Sequence, residues 1–359
     1  MKKKFLGKFD HKKSWRTALI LMNLFAFVEL TGGQVQSNKA HELHLSPETI
    51  HWGYFDASIE PVLYISSGDT VYVETMVARG LERLRLAGIG DEEIPASIKI
   101  VEEGVIDRGP GPHPMTGPIY VNGAEPGDVL EVRILEIDPM VPYGVSGFLP
   151  GGGTLPGRFP YGHLTLVRFS PDGQTAEIAD GVRVPLKPFF GTIGVAPPLL
   201  SGRISSGPPG AHAGNLDLKE LGVGSTLYLP VHVPGGLLSI GDGHALQGDG
   251  EVSGTAAETF LSGTVKVILH KHHESNEFYR SRWPRAETLS HYIAIGLHSD
   301  LDEAARLATN EMVEFLVTEK NLSPEDAYVV CSLAVDLRVT QLVDGTKGVH
   351  AMIAKSIFK

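Results

Sequence analysis

The sequence predicts a mainly β protein, a sandwich or barrel of short strands, followed by a smaller α+β portion. Three observations carry this. Glycine (42) and proline (24) are abundant in 359 residues, and charged residues make up only 20%, a composition of many turns. Short apolar runs with alternating faces recur from Ile59 onward, broken by Gly, Pro, Asp and Ser. Helical spacing of apolar residues enters only near the C-terminus.

The chain starts with a basic segment, "MKKKFLGKFDHKKSWR", then an apolar run from Thr17 to Val28, then small and polar residues. This order reads as a secretory signal over residues 1–33, which makes the protein secreted or periplasmic, with a cytoplasmic extension as the alternative. The apolar run is too short for a stable membrane span. "PVLYISSGDTVYVETM" is strand, turn, strand. "GPIYVNGAEPGDVLEVRILEID" repeats that plan around Pro126–Asp128. The stretch 141–158, "VPYGVSGFLPGGGTLPGR", reads as a long loop, because Gly and Pro interrupt every regular pattern. "LTLVRFSPDGQTAEIA" is a hairpin about Pro171-Asp172-Gly173. "STLYLPVHVPGGLLSIGDG" holds two strands, and "GTVKVILH" one more.

Beyond residue 299 the pattern changes. Ser299 or Asp300 caps a helix whose apolar stripe runs through Leu301, Ala304, Leu307, Ala308, Met312, Phe315 and Leu316. Ser323-Pro324-Glu325-Asp326 starts a second helix: a cap, a proline at the first position, then two acids facing the helix dipole. "VDLRVTQLVDG" alternates as a strand.

Composition also excludes function classes. The net charge of −11 argues against a nucleic-acid partner, which calls for a basic stripe. The single cysteine, Cys331, rules out an internal disulfide framework and a cysteine-rich zinc site. The sequence lacks a G-x-S-x-G elbow, a P-loop and an H-E-x-x-H helix, and nothing specific supports Ser205 or Ser206 as a nucleophile.

Three stretches combine Gly- or Pro-enforced backbone with His and carboxylates. In "GPGPHPMTGPIYVNG", His113 stands between two prolines, so its backbone is extended and stiff. In "SSGPPGAHAGNLDLKELGVG", His212, Asn215 and Asp217 fall close together; Asn215 or Asp217 could alternatively cap a short helix at "LKEL". The third, "GDGHALQGDGE", concentrates Asp242, His244, Gln247, Asp249 and Glu251 within Gly241–Glu251. On an extended chain Asp242 and His244 share one face, as do Gln247, Asp249 and Glu251. A fold-back at Ala245-Leu246 would unite the two sets. Imidazole with carboxylates suits zinc or another divalent metal; carboxylates with carbonyls suit calcium. "HKHHESNE" (His270–Glu277) reads instead as a solvated hairpin tip.

These blocks, with "PFFGTIGVAPP", "RAETLSHYIAIGL" and "DLRVTQLVDGTKGVHAMI", resemble the acetamidase/formamidase family over most of the chain. The resemblance implies hydrolysis of a small aliphatic amide substrate, formamide- or acetamide-like, to the acid and ammonia. It also implies a β-sandwich-type, jelly-roll-like domain over 34–265, an α+β portion over 266–359, a divalent metal and a homo-oligomer, a dimer first. On this reading Asp242 and His244 hold the metal, zinc before calcium, with His212 or Asp217. Glu251, or secondarily Asp249, is the base. Asn215, Gln247 or a glycine backbone N–H stabilises the oxyanion, and His113 contacts substrate. A non-catalytic exported binding module on the same scaffold is the competing reading, and a C–N hydrolase of different substrate is another.

Overall fold

The computed structural model describes residues 38–272 and 282–359. The signal-like segment 1–33 and most of the "HKHHESNE" stretch lie outside the described residues. Strands hold 39% of residues and helices 18%, so the mainly β expectation holds.

The strands form two large sheets. The first is nine-stranded, ordered Ala40–Leu43, Thr70–Glu74, Leu261–His270, Val129–Pro139, Thr226–Pro230, Arg285–Glu287, His291–His298, Lys347–Ala354, Val335–Gln341. In the second, Phe189–Gly194 lies between Ala213–Asn215 and Leu238–His244, and Leu238–His244 also pairs with Glu258–Thr259 and Pro114–Val121. The alternation that predicted strands is visible as burial. Val71 and Val73 point inward from the first sheet while Thr70, Tyr72 and Glu74 are half-exposed. One apolar core joins both sheets, with Val132, Ile134, Val265 and Val267 from the first meeting Ile119, Ile193, Leu238 and Ile240 from the second.

Both strand pairs expected around "SSGD" and "PGG" exist, but each splits between the sheets. Leu63–Ile65 pairs in parallel with Pro114–Val121, whereas Thr70–Glu74 joins the first sheet. These turns are corners of the sandwich. The hairpin at Pro171–Gly173 forms within one sheet, with Ala176 opposite Phe169.

Two expectations need correction. The stretch 141–158 is not a loop throughout: Tyr143–Phe148 is a strand paired with His163–Phe169. Its glycines serve close backbone approach. A Cβ on Gly147 would stand 2.1 Å from the His163 carbonyl oxygen, so no other residue fits there. "LKEL" is a turn closed by Leu221 N–H donating to the Leu218 carbonyl, with no helix for Asn215 or Asp217 to cap.

Helices Gly80–Leu86 and Ala96–Gly104, which strand patterning did not reveal, cover a second core with Met76, Leu84, Ile98, Val101, Tyr143 and Phe260. The helix Leu301–Lys320 starts at Asp300, whose side chain accepts from the Asp302 and Glu303 amides. Its stripe of Ala304, Ala308, Met312, Phe315 and Leu316 packs on the first sheet. Ser323 caps Pro324–Ala334, with the proline in the first turn. The boundary at 265/266 falls inside Leu261–His270, so the strands of the C-terminal portion continue the sheet begun earlier.

Candidate active site

The site is assembled on three adjacent strands. Thr192 lies opposite Asn215 on one side and Gly241 on the other. That register brings Asn215 and Asp217 to one flank of Gly191, and Asp242 and His244 to the other. A Cβ on Gly191 would sit 2.7 Å from Asp217 Oδ1, 2.8 Å from Asp242 Oδ2 and 2.8 Å from His244 Cε1. Gly191 therefore makes the floor of a cradle that any side chain would fill. After His244 the chain bends at Ala245, and Gln247 returns to the cluster.

His244 is the centre. Its Nδ1 donates to Gln247 Oε1 at 3.0 Å, and Gln247 Nε2 donates to the Asp217 carbonyl at 2.8 Å. With Nδ1 carrying the hydrogen, a neutral ring presents a lone pair at Nε2. That atom is 3.1 Å from Asp242 Oδ2 and 3.4 Å from Glu258 Oε2, yet meets the hydrogen-bond angle of neither. Lone pairs facing one another in a buried site repel unless a proton or a cation stands between them. Asp217 Oδ1, Asp242 Oδ1 and Glu258 Oε2 are also buried without hydrogen-bond partners, a donor set short of positive charge.

The electrostatics agree. Burial works against a charged His244, but the Asp242 and Glu258 carboxylates outweigh it and raise its pKa well above the ordinary value. Burial likewise opposes ionisation of Asp242, and the charges of His244 and His113 overcome it, holding that carboxyl below the usual range. Asp217 and Glu251 are pushed well up, first by burial and then by neighbouring acids, Glu251 and Asp344 acting on Asp217, Asp344 and Glu258 on Glu251. Burial takes Asp344 up to about 6.

Backbone strain collects here too. Ala213, Asp217, Asp242 and Glu251 all adopt positive φ, between 44° and 62°. Each such non-glycine conformation costs on the order of 1–3 kcal/mol and survives where surrounding contacts demand it, as functional sites do.

The remaining expected residues divide. His113 belongs to the cluster: its Nε2 is 3.6 Å from Asp242 Oδ2, and its Nδ1 is 3.0 Å from the Ser206 carbonyl. Asn215 is inside but fully engaged. It donates to Asp217 Oδ2 (2.9 Å) and Asp344 Oδ2 (3.1 Å) and accepts from Thr192 Oγ1 (2.9 Å). Asn215 and Gln247 hold other side chains in place and have no spare donor aimed at a substrate. His212 stands apart, edge-on to Phe55 at 4.9 Å, and the charged neighbour that perturbs it is His232. Asp249 turns away as well, ion-paired to Lys219 (2.8 Å) and Arg338 (2.6 Å).

Sequence reading missed three participants. Glu258 lies directly opposite His244 across a strand pair; its signal is a lone acid in the apolar run "AAETFL". Arg83, buried on the helix Gly80–Leu86, approaches Glu258 Oε1 with Nη1 at 3.7 Å, while its Nη2 has no partner. Asp344 follows the strand Val335–Gln341 in the turn "VDGTKG".

A buried imidazole ringed by carboxylates, on strands of a two-sheet sandwich, defines an acid–base site of the kind that hydrolytic chemistry uses. The sequence profile of the acetamidase/formamidase family matches residues 38–200 and 203–359. The chain belongs to that family. It is 32% identical over 192 residues to a formamidase of Methylophilus methylotrophus, covering 39% of this chain and 47% of that protein. It is 31% identical over 199 residues to an acetamidase of Mycolicibacterium smegmatis, covering 39% and 49%. The chain thus spans about half the length of these curated relatives. Among solved structures, an acetamidase from Bacillus halodurans superposes with a TM-score of 0.73 at 34% identity, covering 88% of this chain and 98% of that one. An acetamidase from Yersinia enterocolitica gives 0.75 at 31%, covering 90% and 94%.

Proposed function

We propose that the protein hydrolyses short aliphatic amides, RCONH2 + H2O giving RCOOH and NH3, at the cluster around His244. The observation that carries this reading is the convergence of His244 Nε2 with Asp242 and Glu258 on one point in a buried cradle. Family membership and the acetamidase neighbours support it.

The donor set fits a divalent metal. Ligand atoms of Asp242, His244 and Glu258 lie within 4.8 Å of one another, as do those of Asp217, His244 and Glu251, and unpartnered oxygens line the cradle. An imidazole with carboxylates favours zinc over calcium. In this proposal Asp242, His244 and Glu258 are the ligands, with Asp217 in reserve; His212 is too differently placed to join them. A bound divalent ion would polarise the amide carbonyl as a Lewis acid.

The protein's own groups do the rest. Glu251 takes the proton of the attacking water and returns it to the departing nitrogen. Burial raises the Glu251 pKa, and the neighbouring Asp344 and Glu258 add to it. Arg83 Nη2 donates to the carbonyl oxygen as negative charge develops on it, and burial strengthens that hydrogen bond. Gln247 fixes the His244 tautomer, and Asn215 ties Asp217 to Asp344. The proposal includes assembly as a homodimer, read out by light scattering. Ammonia release from formamide and acetamide, with and without chelator and with zinc or calcium restored, tests the whole reading. Release that chelator abolishes and zinc restores is the expected result.

A further inference from the structure

A cavity of about 420 Å3 opens beside the site, and Arg83 and Asp344 are part of its wall. Arg83 pairs with Glu258, and Asp344 receives the Asn215 hydrogen bond, so both tie the cavity to the cluster around His244. Acetamide has four non-hydrogen atoms. At about 30 Å3 each, the share of a water molecule in the liquid, they fill roughly 120 Å3. Most of the space would stay empty around so small a substrate.

The wall is mixed: the exposed Arg79 and Glu82 stand on it with Ser253 and Thr255, and an apolar strip runs between them. Leu86, Phe148, Leu149 and Leu164 form that strip. Leu86 is 70% exposed and Leu149 53%. The segment carrying Leu149 continues into Gly152 and Gly153, which also line the cavity. Small residues there leave room that side chains would occupy. Apolar side chains gathered around one opening next to a polar cluster are the arrangement of a ligand pocket, with a few polar groups to orient the ligand and apolar walls to hold it.

We infer that this cavity is an acyl-chain subsite, and that the preferred substrates are primary amides with an apolar chain of about four to eight carbons. The inference rests on the amide-hydrolase reading. The carboxamide sits against the His244 cluster with its oxygen toward Arg83 Nη2, and the chain lies between Leu86, Phe148, Leu149 and Leu164. Each methylene taken out of water adds up to about fourfold in affinity. A neighbouring cavity of about 280 Å3 shares Ser253 and Thr255 with this one; Glu251 and Gln247 line it in place of Arg83 and Asp344, so the two cavities flank the cluster from different sides.

The experiment pairs two series on the full chain. Ammonia release is measured from formamide, acetamide, butyramide and hexanamide. Binding of acetone, 2-pentanone and 2-heptanone is measured by calorimetry; in these methyl ketones CH3 replaces NH2 and nothing can be hydrolysed. The expected result is kcat/KM rising two- to fourfold per methylene from acetamide to hexanamide, with ketone affinity rising in parallel. Leu149→Asn should flatten both slopes. Ketones that tighten with length while no amide releases ammonia would keep the subsite and sink the amidase reading. Flat ketone binding with active formamide or acetamide hydrolysis would overturn the subsite and leave that reading standing. Slopes that persist unchanged in Leu149→Asn would also overturn this location for the chain.

Discussion

Glu258 and His244 face each other across an antiparallel strand pair, with Oε2 3.4 Å from Nε2. Asp242, two residues before His244 on the same face of its strand, brings a second carboxylate to the same nitrogen. Strand register alone thus builds the heart of the site, and Gly191 on the neighbouring strand leaves room for it.

Gly191→Ala tests that room. The added methyl would meet Asp217 Oδ1 and Asp242 Oδ2 under 3 Å, while its backbone conformation tolerates alanine, since its φ is not among the positive ones. Displacing reacting groups by about 1 Å costs on the order of 100-fold. The expected outcome is a loss of that size in kcat/KM with a Tm lowered by the overpacking cost of about 1–3 kcal/mol, read by ammonia assay and calorimetry.

The acid that moves protons should show in kcat. Glu251→Gln keeps size and removes the titrating group. A fall of about 100- to 10,000-fold in kcat is expected. Stability should hold or rise, because a buried acid crowded by Asp344 and Glu258 is gone. Equal losses in KM and Tm would point to a structural role.

Metal content separates His244 from Asp249, two residues of the same short stretch. If the proposed divalent ion binds, elemental analysis of His244→Ala should find it lost. Asp249→Asn should retain it, because Asp249 is occupied by Lys219 and Arg338. Loss of metal from Asp249→Asn would contradict the assigned ligands.

Acid stability follows from two buried histidines outside the cluster. Burial lowers His51 to about 4, against the pull of the Tyr54 carbonyl, and lowers His212 to about 4 with help from His232. The unfolded chain takes up these protons near pH 6.5 and the folded one only near 4. Stability present above pH 6.5 is therefore lost as pH falls through that window, up to about 3 kcal/mol for each histidine. That is a large share of a typical 5–15 kcal/mol. Denaturant midpoints between pH 7 and 4 should fall steeply, and His51→Gln should soften the slope.

Much of this was legible in sequence because it is local. Alternation marked the strands, and caps marked Asp300 and Ser323. "GDGHALQGDGE" placed Asp242, His244 and Gln247 together through a strand and one bend. The same stretch misled at Asp249, because the turn at 248–250 sends it toward Lys219 and Arg338, partners that local pattern does not reveal. His212 looked unoccupied among small neighbours, and the ring it packs on, Phe55, is far away in sequence. Glu258, Arg83 and Asp344 arrive from separate elements through tertiary pairing, so period and spacing carried no trace of their convergence. The glycines of 144–147 read as looseness, whereas in the folded chain they allow strands to touch.

The most direct test of the central claim is ammonia release from acetamide and hexanamide by wild type and Glu251→Gln in parallel, each with one zinc per chain verified. Wild type should release ammonia, and the variant should lose at least about 100-fold at equal metal content. Equal rates in the two proteins, or no release from either amide by the zinc-loaded wild type, would contradict that claim.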